Sequence, residues 1–365
     1  LQHLRFLPTP TLKPLPNGTP VFGTVATDHM LEVDFRGGMW QTPKIRPLEE
    51  LRVHPMSKVF HYCPTVIEGL KAFRGVDGRI RLFRPEMSAA RLLASTRRAA
   101  LPDFCPVQLE HMIARLISEE KAWIPKGDDT ALYIRPFIMG TDANLGVGAL
   151  HEAKLVVVCS PVGAYYADGW KAVKLHADPS FTRATPGGVG AYKMGCNYAP
   201  TLKLIKEAAS FGCHQSLWLY GEEQLITEAG TSNLFLYWRN KKDELELITP
   251  PVTDGLILPG VTRDSILTLA KEWSEFKVTE RYPTMAELRE AAKEKRIIEF
   301  FGSGTAAVVF PCERIVYSDK NGSEPINIDI PQQTDGIPLY KRIYDTITGI
   351  QYGKIDRPEW VRIVD

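Results

Sequence analysis

The sequence predicts two packed domains of mixed strands and helices, a smaller α+β domain followed by a larger mixed α/β domain. Three observations lead there. The chain has 365 residues, enough for two substantial cores. Short strand-like runs alternate with amphipathic helical stretches along nearly all of it. Residues 161–170 (Pro161-Val162-Gly163-Ala164-Tyr165-Tyr166-Ala167-Asp168-Gly169-Trp170) interrupt that alternation with turn formers and aromatics. The expected organisation is an arm at 1–20, a small domain at 21–160, a linker at 161–170 and a large domain at 171–365.

The arm carries five prolines and little periodicity, so it reads as extended. Strand-like segments follow at Val21–Thr27, Met30–Asp34 and Val59–Tyr62. Asp77-Gly78 between Lys71–Gly75 and Arg79–Phe83 is a hairpin signal. Pro85-Glu86 opens a helix to about Ala100, with the acid in the first turn as the dipole prefers. Leu109, Met112, Ile113, Leu116 and Ile117 repeat at helical spacing, and Pro125-Lys126-Gly127 closes that helix. Ala131–Ile138 and Lys154–Ser160 read as strands. Beyond the linker, Leu202, Ile205 and Ala209 mark a helix before strand Ser216–Tyr220. Strands Asn233–Trp238 and Glu244–Ile248 come next, then a helix marked by Ile266, Ala270 and Trp273. Strand Lys277–Tyr282, a charged helix near Met285–Lys295 and strands Ile297–Phe301 and Ala306–Phe310 around a glycine turn follow. Leu339, Ile343, Ile347 and Ile350 signal a C-terminal helix.

Composition narrows the function. Forty-four basic residues balance 43 acidic ones, which argues against a general affinity for nucleic acid or acidic membranes. No apolar run approaches the ~20 residues of a membrane span. The six cysteines, Cys63, Cys105, Cys159, Cys196, Cys213 and Cys312, form no CxxC pair, favouring scattered thiols in a reducing compartment. The eight histidines form no ligand-spaced cluster, so no metal site is expected. Asn17-Gly18-Thr19 and Asn321-Gly322-Ser323 fit the glycosylation pattern but equally mark turns. No targeting peptide is visible, although the chain begins at Leu1 without an initiator methionine.

The chemistry concentrates around Gly187-Gly188-Val189-Gly190-Ala191-Tyr192-Lys193-Met194-Gly195-Cys196-Asn197-Tyr198. A lysine among four glycines is most simply a solvated residue on a turn. It is also a Schiff-base candidate once deprotonated and desolvated. Glu228, between a strand and the turn Ala229-Gly230-Thr231-Ser232, has an ordinary reading as a cap. Beside a pyridine ring it would keep the ring nitrogen protonated. Gly302-Ser303-Gly304-Thr305-Ala306-Ala307 fits GxGxxA, yet Val308-Val309-Phe310-Pro311 continues as strand where a dinucleotide fold needs a helix. That turn and Leu258-Pro259-Gly260-Val261-Thr262, which opens a helix, both offer N–H groups to an anion. Tyr198 and Arg91 complete a set that suits a phosphorylated pyridoxal ring.

Gly190-Ala191-Tyr192-Lys193-Met194-Gly195-Cys196-Asn197-Tyr198 resembles the lysine segment of eukaryotic-type branched-chain aminotransferases. In the same order, so do Val21-Phe22-Gly23 with Thr27-Asp28-His29-Met30, Ile67-Glu68-Gly69-Leu70-Lys71-Ala72-Phe73, Tyr133-Ile134-Arg135-Pro136, Ile226-Thr227-Glu228 and Phe301-Gly302-Ser303-Gly304-Thr305. The resemblance spans about residues 20–355. It implies the fold type IV (D-amino-acid-aminotransferase-like) architecture, with pyridoxal 5'-phosphate between two domains of a homodimer. Lys193 would bind the cofactor covalently and shuttle a proton, Glu228 would serve the ring nitrogen and Tyr198 the phenolic oxygen. Arg91, Val261, Thr262 and Thr305 would seat the phosphate. Phe22, Tyr133, Arg135, Tyr165, Thr231 and Ala306 would line the substrate pocket, with Tyr62, Leu145 and Val147 reaching across the dimer. The implied reaction moves the amino group of leucine, isoleucine or valine to 2-oxoglutarate by ping-pong kinetics, in the cytoplasm or mitochondrial matrix. Other chemistry on the same fold, D-amino-acid transamination or aminodeoxychorismate lysis, is the near alternative, and a non-catalytic relic the remote one. Two departures stand out. Ala307 and Phe310 occupy the positions of a CxxC found in mammalian members, so thiol regulation of that kind is not expected. Ile67 stands where an aromatic pocket residue is common.

Overall fold

Ten consecutive residue pairs, Ala131↔Val162 through Gly140↔Ala153, join two ten-residue strands of the computed structural model. The structure describes residues 3–18, 21–163, 171–319, 324–332 and 335–364. Both strands are almost wholly buried, which is why they read as apolar runs rather than as alternating ones. They form the middle of a sheet ordered Arg5–Phe6, Lys44–Pro47, His29–Arg36, Ala153–Val162, Ala131–Gly140, Leu70–Arg74, Ile80–Phe83 and Val361–Val364. Met39–Trp40 pairs with His29–Arg36, and Thr65–Ile67 with Ala131–Gly140. This sheet belongs to a first unit made of residues 1–167, 192–196 and 349–365. Helices Pro85–Arg98 and Pro106–Glu119 pack together in it, each with proline in its first turn, where the missing N–H costs nothing. Leu109, Ile113, Leu116 and Ile117 form the buried stripe of the second helix.

The second unit comprises residues 168–191 and 197–348. Its sheet runs Leu225–Ala229, Gln215–Tyr220, Val173–Ala177, Val308–Tyr317, Ile297–Gly304, Asn233–Arg239, Leu245–Thr249 and Lys277–Glu280, with Ile326–Asp329 beside Val308–Tyr317. Val173–Ala177 is parallel to both neighbours, and Leu245–Thr249 is parallel to Lys277–Glu280. The mixture of parallel and antiparallel pairs fits the expected mixed α/β class. Helices Thr201–Ser210, Val261–Trp273 and Met285–Lys293 lie in this unit, the last opened by a capping box between Thr284 and Glu287. A further helix, Leu339–Gln351, begins where Glu299 accepts the N–H groups of Leu339 and Tyr340 at 2.6 and 2.9 Å.

Several local expectations change. Val59–Tyr62 lies in a helix, Lys58–Tyr62, because a short apolar run carries no periodicity to separate strand from helix. Val21–Thr27 is irregular, turning at Gly23 with φ 72°. Gly302-Ser303-Gly304 is extended, and the turn is Thr305–Ala307. Gly302 has no Cβ because one there would lie 2.2 Å from the Phe310 ring across the strand pair. The proline-rich arm is pinned to the first unit. Arg5–Phe6 pairs with Lys44–Ile45, the Thr9 amide donates to His29 Nε2, and the Lys13 amide donates to Asp28 Oδ1. Of the expected linker, Pro161 and Val162 end a strand, and residues 164–170 lie outside the described residues.

Candidate active site

Lys193 sits on a segment, Tyr192–Cys196, that belongs to the first unit although its flanks belong to the second. Its backbone is fixed on both sides. The Lys193 amide donates to Ser95 Oγ at 2.9 Å, and the Lys193 carbonyl accepts the Ile67 amide at 2.9 Å. Met194 then makes an isolated β-bridge with Val66, and the Arg98 guanidinium lies 5.9 Å from the Tyr192 ring centroid. Ser95 is fully buried and donates in turn to the Arg91 carbonyl at 2.9 Å. One helix, Pro85–Arg98, thus carries both the lysine's amide partner and the arginine expected at the phosphate. Arg91 itself is buried and pairs with Glu68, Nε to Oε1 at 2.6 Å and Nη2 to Oε2 at 2.8 Å.

Two of the loop glycines have steric reasons. A Cβ on Gly195 would lie 2.6 Å from Thr65 Cγ2. In the second unit, a Cβ on Gly190 would lie 2.7 Å from the carbonyl oxygens of both Gly255 and Leu256. Both contacts are closer than side chains tolerate, so these glycines permit close packing of the backbone. Tyr198 follows the short 3-10 turn Gly195–Asn197, and its carbonyl accepts the amide and hydroxyl of Thr201 at 3.0 and 2.7 Å.

Also in the first unit, three of the expected substrate residues meet. The Phe22 ring stands edge-on to Tyr133 at 4.9 Å, and Arg135 Nη2 donates to the Tyr133 hydroxyl at 2.8 Å. Arg135 Nε is buried without a hydrogen-bond partner. Tyr62 donates its hydroxyl to the Leu145 carbonyl, while Val147 is 84% exposed. Tyr165 lies outside the described residues.

In the second unit Glu228 is a buried carboxylate with several donors around it. It is 3% exposed, and its Oε1 accepts Asn233 Nδ2 at 3.0 Å and the Leu258 amide at 3.1 Å. Arg183 Nε approaches Oε2 to 2.5 Å, an ion pair whose N–H is not aligned on the oxygen. Arg183 also donates to the carbonyls of Gly190 and Leu256, tying the glycine loop to the carboxylate. Asn233 donates to the Leu258 carbonyl at 2.8 Å, so the acid and the turn before helix Val261–Trp273 form one network. Gly260 must be glycine here, since a Cβ would lie 2.0 Å from Asn233 Oδ1. As N-cap it supplies no side-chain acceptor, leaving the first-turn amides, among them those of Val261 and Thr262, disposed toward an anion. Ser303, opposite Asn233 in register, has a buried hydroxyl with no hydrogen-bond partner. The turn Thr305–Ala307 carries Thr305 and Ala306 and ends at Val308 with φ 62°. A left-handed β-branched residue is rare, so the surroundings impose this turn's shape. Thr231 is exposed at the tip of the turn between Ala229 and Ser232, which bond each other's backbone.

The profile of the family described as Amino-transferase class IV matches residues 65–315. The chain belongs to the class IV aminotransferases. It is 50% identical over 353 residues to a cytosolic branched-chain-amino-acid aminotransferase of Caenorhabditis elegans, covering 96% of this chain and 85% of that one. A mitochondrial branched-chain-amino-acid aminotransferase of Rattus norvegicus is 46% identical over 346 residues, 94% of this chain and 86% of that one. The crystal structure of the Escherichia coli branched-chain aminotransferase superposes with a TM-score of 0.72 at 26% identity, covering 93% of this chain and 99% of that chain. The fold is therefore the class IV, fold type IV architecture. Class IV aminotransferases work with pyridoxal 5'-phosphate. The residues present fit that group: a lysine with a fixed backbone, a buried carboxylate in a polar cradle, an uncapped helix start and an orphaned buried hydroxyl. Among the described residues no helix is long and apolar enough to cross a membrane.

Reading the sequence alone missed Ser95, Arg183 and Asn233. Asn233 was within sight, since it begins the strand that follows the turn beside Glu228. Ser95 and Arg183 carry no local signal, because tertiary pairing alone gives them their roles.

Proposed function

We propose that this chain transfers the amino group of leucine, isoleucine or valine to 2-oxoglutarate, giving branched-chain 2-oxo acids and glutamate. The observation that carries the reading is 50% identity over 96% of the chain to an enzyme named for that substrate class. Pyridoxal phosphate, when bound, supplies the reactive carbonyl and the electron sink for amino transfer. Lys193 would hold it covalently through Nζ and carry the substrate's Cα proton. Glu228, paired with Arg183 and accepting two N–H donors, would serve the ring nitrogen. The Tyr198 hydroxyl would donate to the ring's phenolic oxygen. Arg91, Val261, Thr262 and Thr305 would seat the phosphate, and the unpartnered Ser303 hydroxyl supports that placement.

Phe22, Tyr133, Arg135, Thr231 and Ala306 would bind the substrate, with Tyr165 from the segment outside the described residues. The aromatic pair Phe22–Tyr133 suits an isobutyl-type side chain, and Arg135 suits a carboxylate. Tyr62, Leu145 and Val147 would complete the pocket of a second copy in a homodimer. Their support is exposure: 46, 51 and 84% for three apolar side chains near one another in sequence or hydrogen bonding. The designations of the relatives, cytosolic and mitochondrial, support work in the cytosol or the mitochondrial matrix.

Purified protein loaded with the cofactor should absorb in the visible, and Lys193→Ala should abolish the lysine-linked band. A wild type that takes up no cofactor would sink the proposal. In an amino-donor panel with 2-oxoglutarate, turnover of D-alanine but not L-leucine would overturn the substrate assignment.

A further inference from the structure

Arg5–Phe6 and Val361–Val364 are the two ends of the first unit's sheet. Among the described residues each pairs on one side only, the first with Lys44–Pro47 and the last with Ile80–Phe83. Yet both strands line one cavity of about 470 Å³, which helix Pro106–Glu119 also borders. The sheet therefore curls until its two edges share a gap, of a volume ordinary for a small-molecule site. The arm side of that gap is held in place. The Phe6 ring lies 5.2 Å from the His29 ring, and the Thr9 amide donates to His29 Nε2 at 3.1 Å. His29 is itself buried and paired with Glu120.

The lining combines two chemistries. Leu4 and Phe6 from the arm, Ala114 from the helix and Ile363 from the last strand supply apolar surface. Arg115 on the helix and Arg362 on the last strand supply guanidinium groups from two sides, with His111 one helical turn before Arg115. Among the described residues no carboxylate lines the cavity. The acids that pair these cations, Glu119 with Arg115 and Glu110 with Arg362, stand outside it. The second pair is long, 3.3 Å from Arg362 Nη1 to Glu110 Oε2, and the two arginine side chains remain 49 and 29% exposed. A guanidinium carries five N–H donors in a planar fork, so each arginine keeps donors for a further acceptor. A small inorganic anion would leave the hydrocarbon walls uncovered, and an uncharged apolar ligand would leave both forks unmatched.

The geometry points to a second ligand site, for a medium-length aliphatic carboxylate. Its head meets Arg115 and Arg362, and its chain lies against Leu4, Phe6 and Ile363. None of these residues belongs to the set around Lys193 or to the proposed substrate residues, so the site stands whichever reaction the chain performs. An octanoate bearing a diazirine near its methyl end serves as the probe. It is photolysed with the cofactor-loaded full chain, and the labelled peptides are identified by mass spectrometry. Label should fall on the arm strand, helix Pro106–Glu119 or the last strand, and unlabelled octanoate should displace it at least about tenfold better than octan-1-ol or propanoate. That comparison needs no variant to fold. In Arg115→Gln/Arg362→Gln the concentration for half-maximal labelling there should rise about tenfold, equivalent to ~1.4 kcal/mol. Ala114→Trp, which keeps both cations and fills the space, should weaken it similarly. Thermal melts and leucine turnover of both variants should stay near those of the wild type. Label found only elsewhere in the chain, equal displacement by the alcohol, or labelling unchanged in both variants would overturn the inference.

Discussion

Replacing Ser95 by alanine should disturb the lysine without touching it chemically. The hydroxyl accepts the Lys193 amide at 2.9 Å and donates to the Arg91 carbonyl at 2.9 Å, and the side chain is fully buried. Deleting it leaves the Lys193 N–H without that acceptor, at a cost of about 1–3 kcal/mol for a buried donor. Alanine returns about 0.5 kcal/mol through its better helix propensity. The net loss of roughly 1–2 kcal/mol corresponds to a few degrees in melting temperature for a chain of this size. Because the strained partner is the backbone of Lys193, we expect part of that loss to appear in the barrier. A change of ~1.4 kcal/mol there is tenfold in rate.

Thr96→Ala supplies the control. Thr96 is also fully buried in the same helix and donates to the Leu92 carbonyl at 2.8 Å. It has the same back-bonding geometry but no bond to the lysine segment. The assay is leucine-dependent turnover with 2-oxoglutarate, together with the absorbance of the lysine-linked cofactor and thermal melts of all three proteins. Ser95→Ala should lower kcat roughly tenfold and shift the absorbance, while Thr96→Ala melts lower with near-normal kcat. Equal kcat for the two variants at similar melting temperatures would refute a positioning role for Ser95.

Three further outcomes follow from the geometry. Glu228→Gln leaves Arg183, whose side chain is 9% exposed, without its counter-charge, and a broken buried pair costs about 3–5 kcal/mol; a cofactor-free variant melting with the wild type would contradict that. Gly190→Ala drives a Cβ to within 2.7 Å of two backbone carbonyls, so the loop must shift and turnover should fall with it; unchanged turnover would show that the loop yields freely. Burial alone would raise the Glu32 carboxyl, but hydrogen bonds and charge from Arg46 and Lys154 outweigh it and hold the group below the usual glutamate range. The folded state therefore binds this proton less readily than the unfolded chain. The stabilisation is in place above the unfolded value of about 4.3 and disappears as pH falls through the lower folded value. Between pH 7 and 3 the wild type should lose more melting temperature than Glu32→Gln, and parallel losses would dismiss the pair as a pH-dependent support.

What could be read from the sequence and what could not divide along a physical line. Lys193, Tyr198 and Glu228 stood out because each lies in a short stretch whose neighbours are small or glycine, and the helix beginning at Val261 announced itself by a glycine at its N-cap. The long strands 131–140 and 153–162 were visible as apolar runs, and Pro85 and Pro106 each open a helix. The helix Lys58–Tyr62 was hidden because four or five apolar residues fit either period. Val361–Val364 was hidden because its partner, Ile80–Phe83, lies far away along the chain. The same distinction applies at the reactive residue. A lysine among four glycines suggests a pliable loop, but mobility would work against a group that must hold one position. Here the amide of Lys193 is held by a helix serine and its carbonyl by Ile67, while Gly190 and Gly195 admit neighbouring atoms to distances no Cβ allows. The glycines therefore make the segment rigid by letting it pack closely, and the flexibility their composition suggests is spent on that contact.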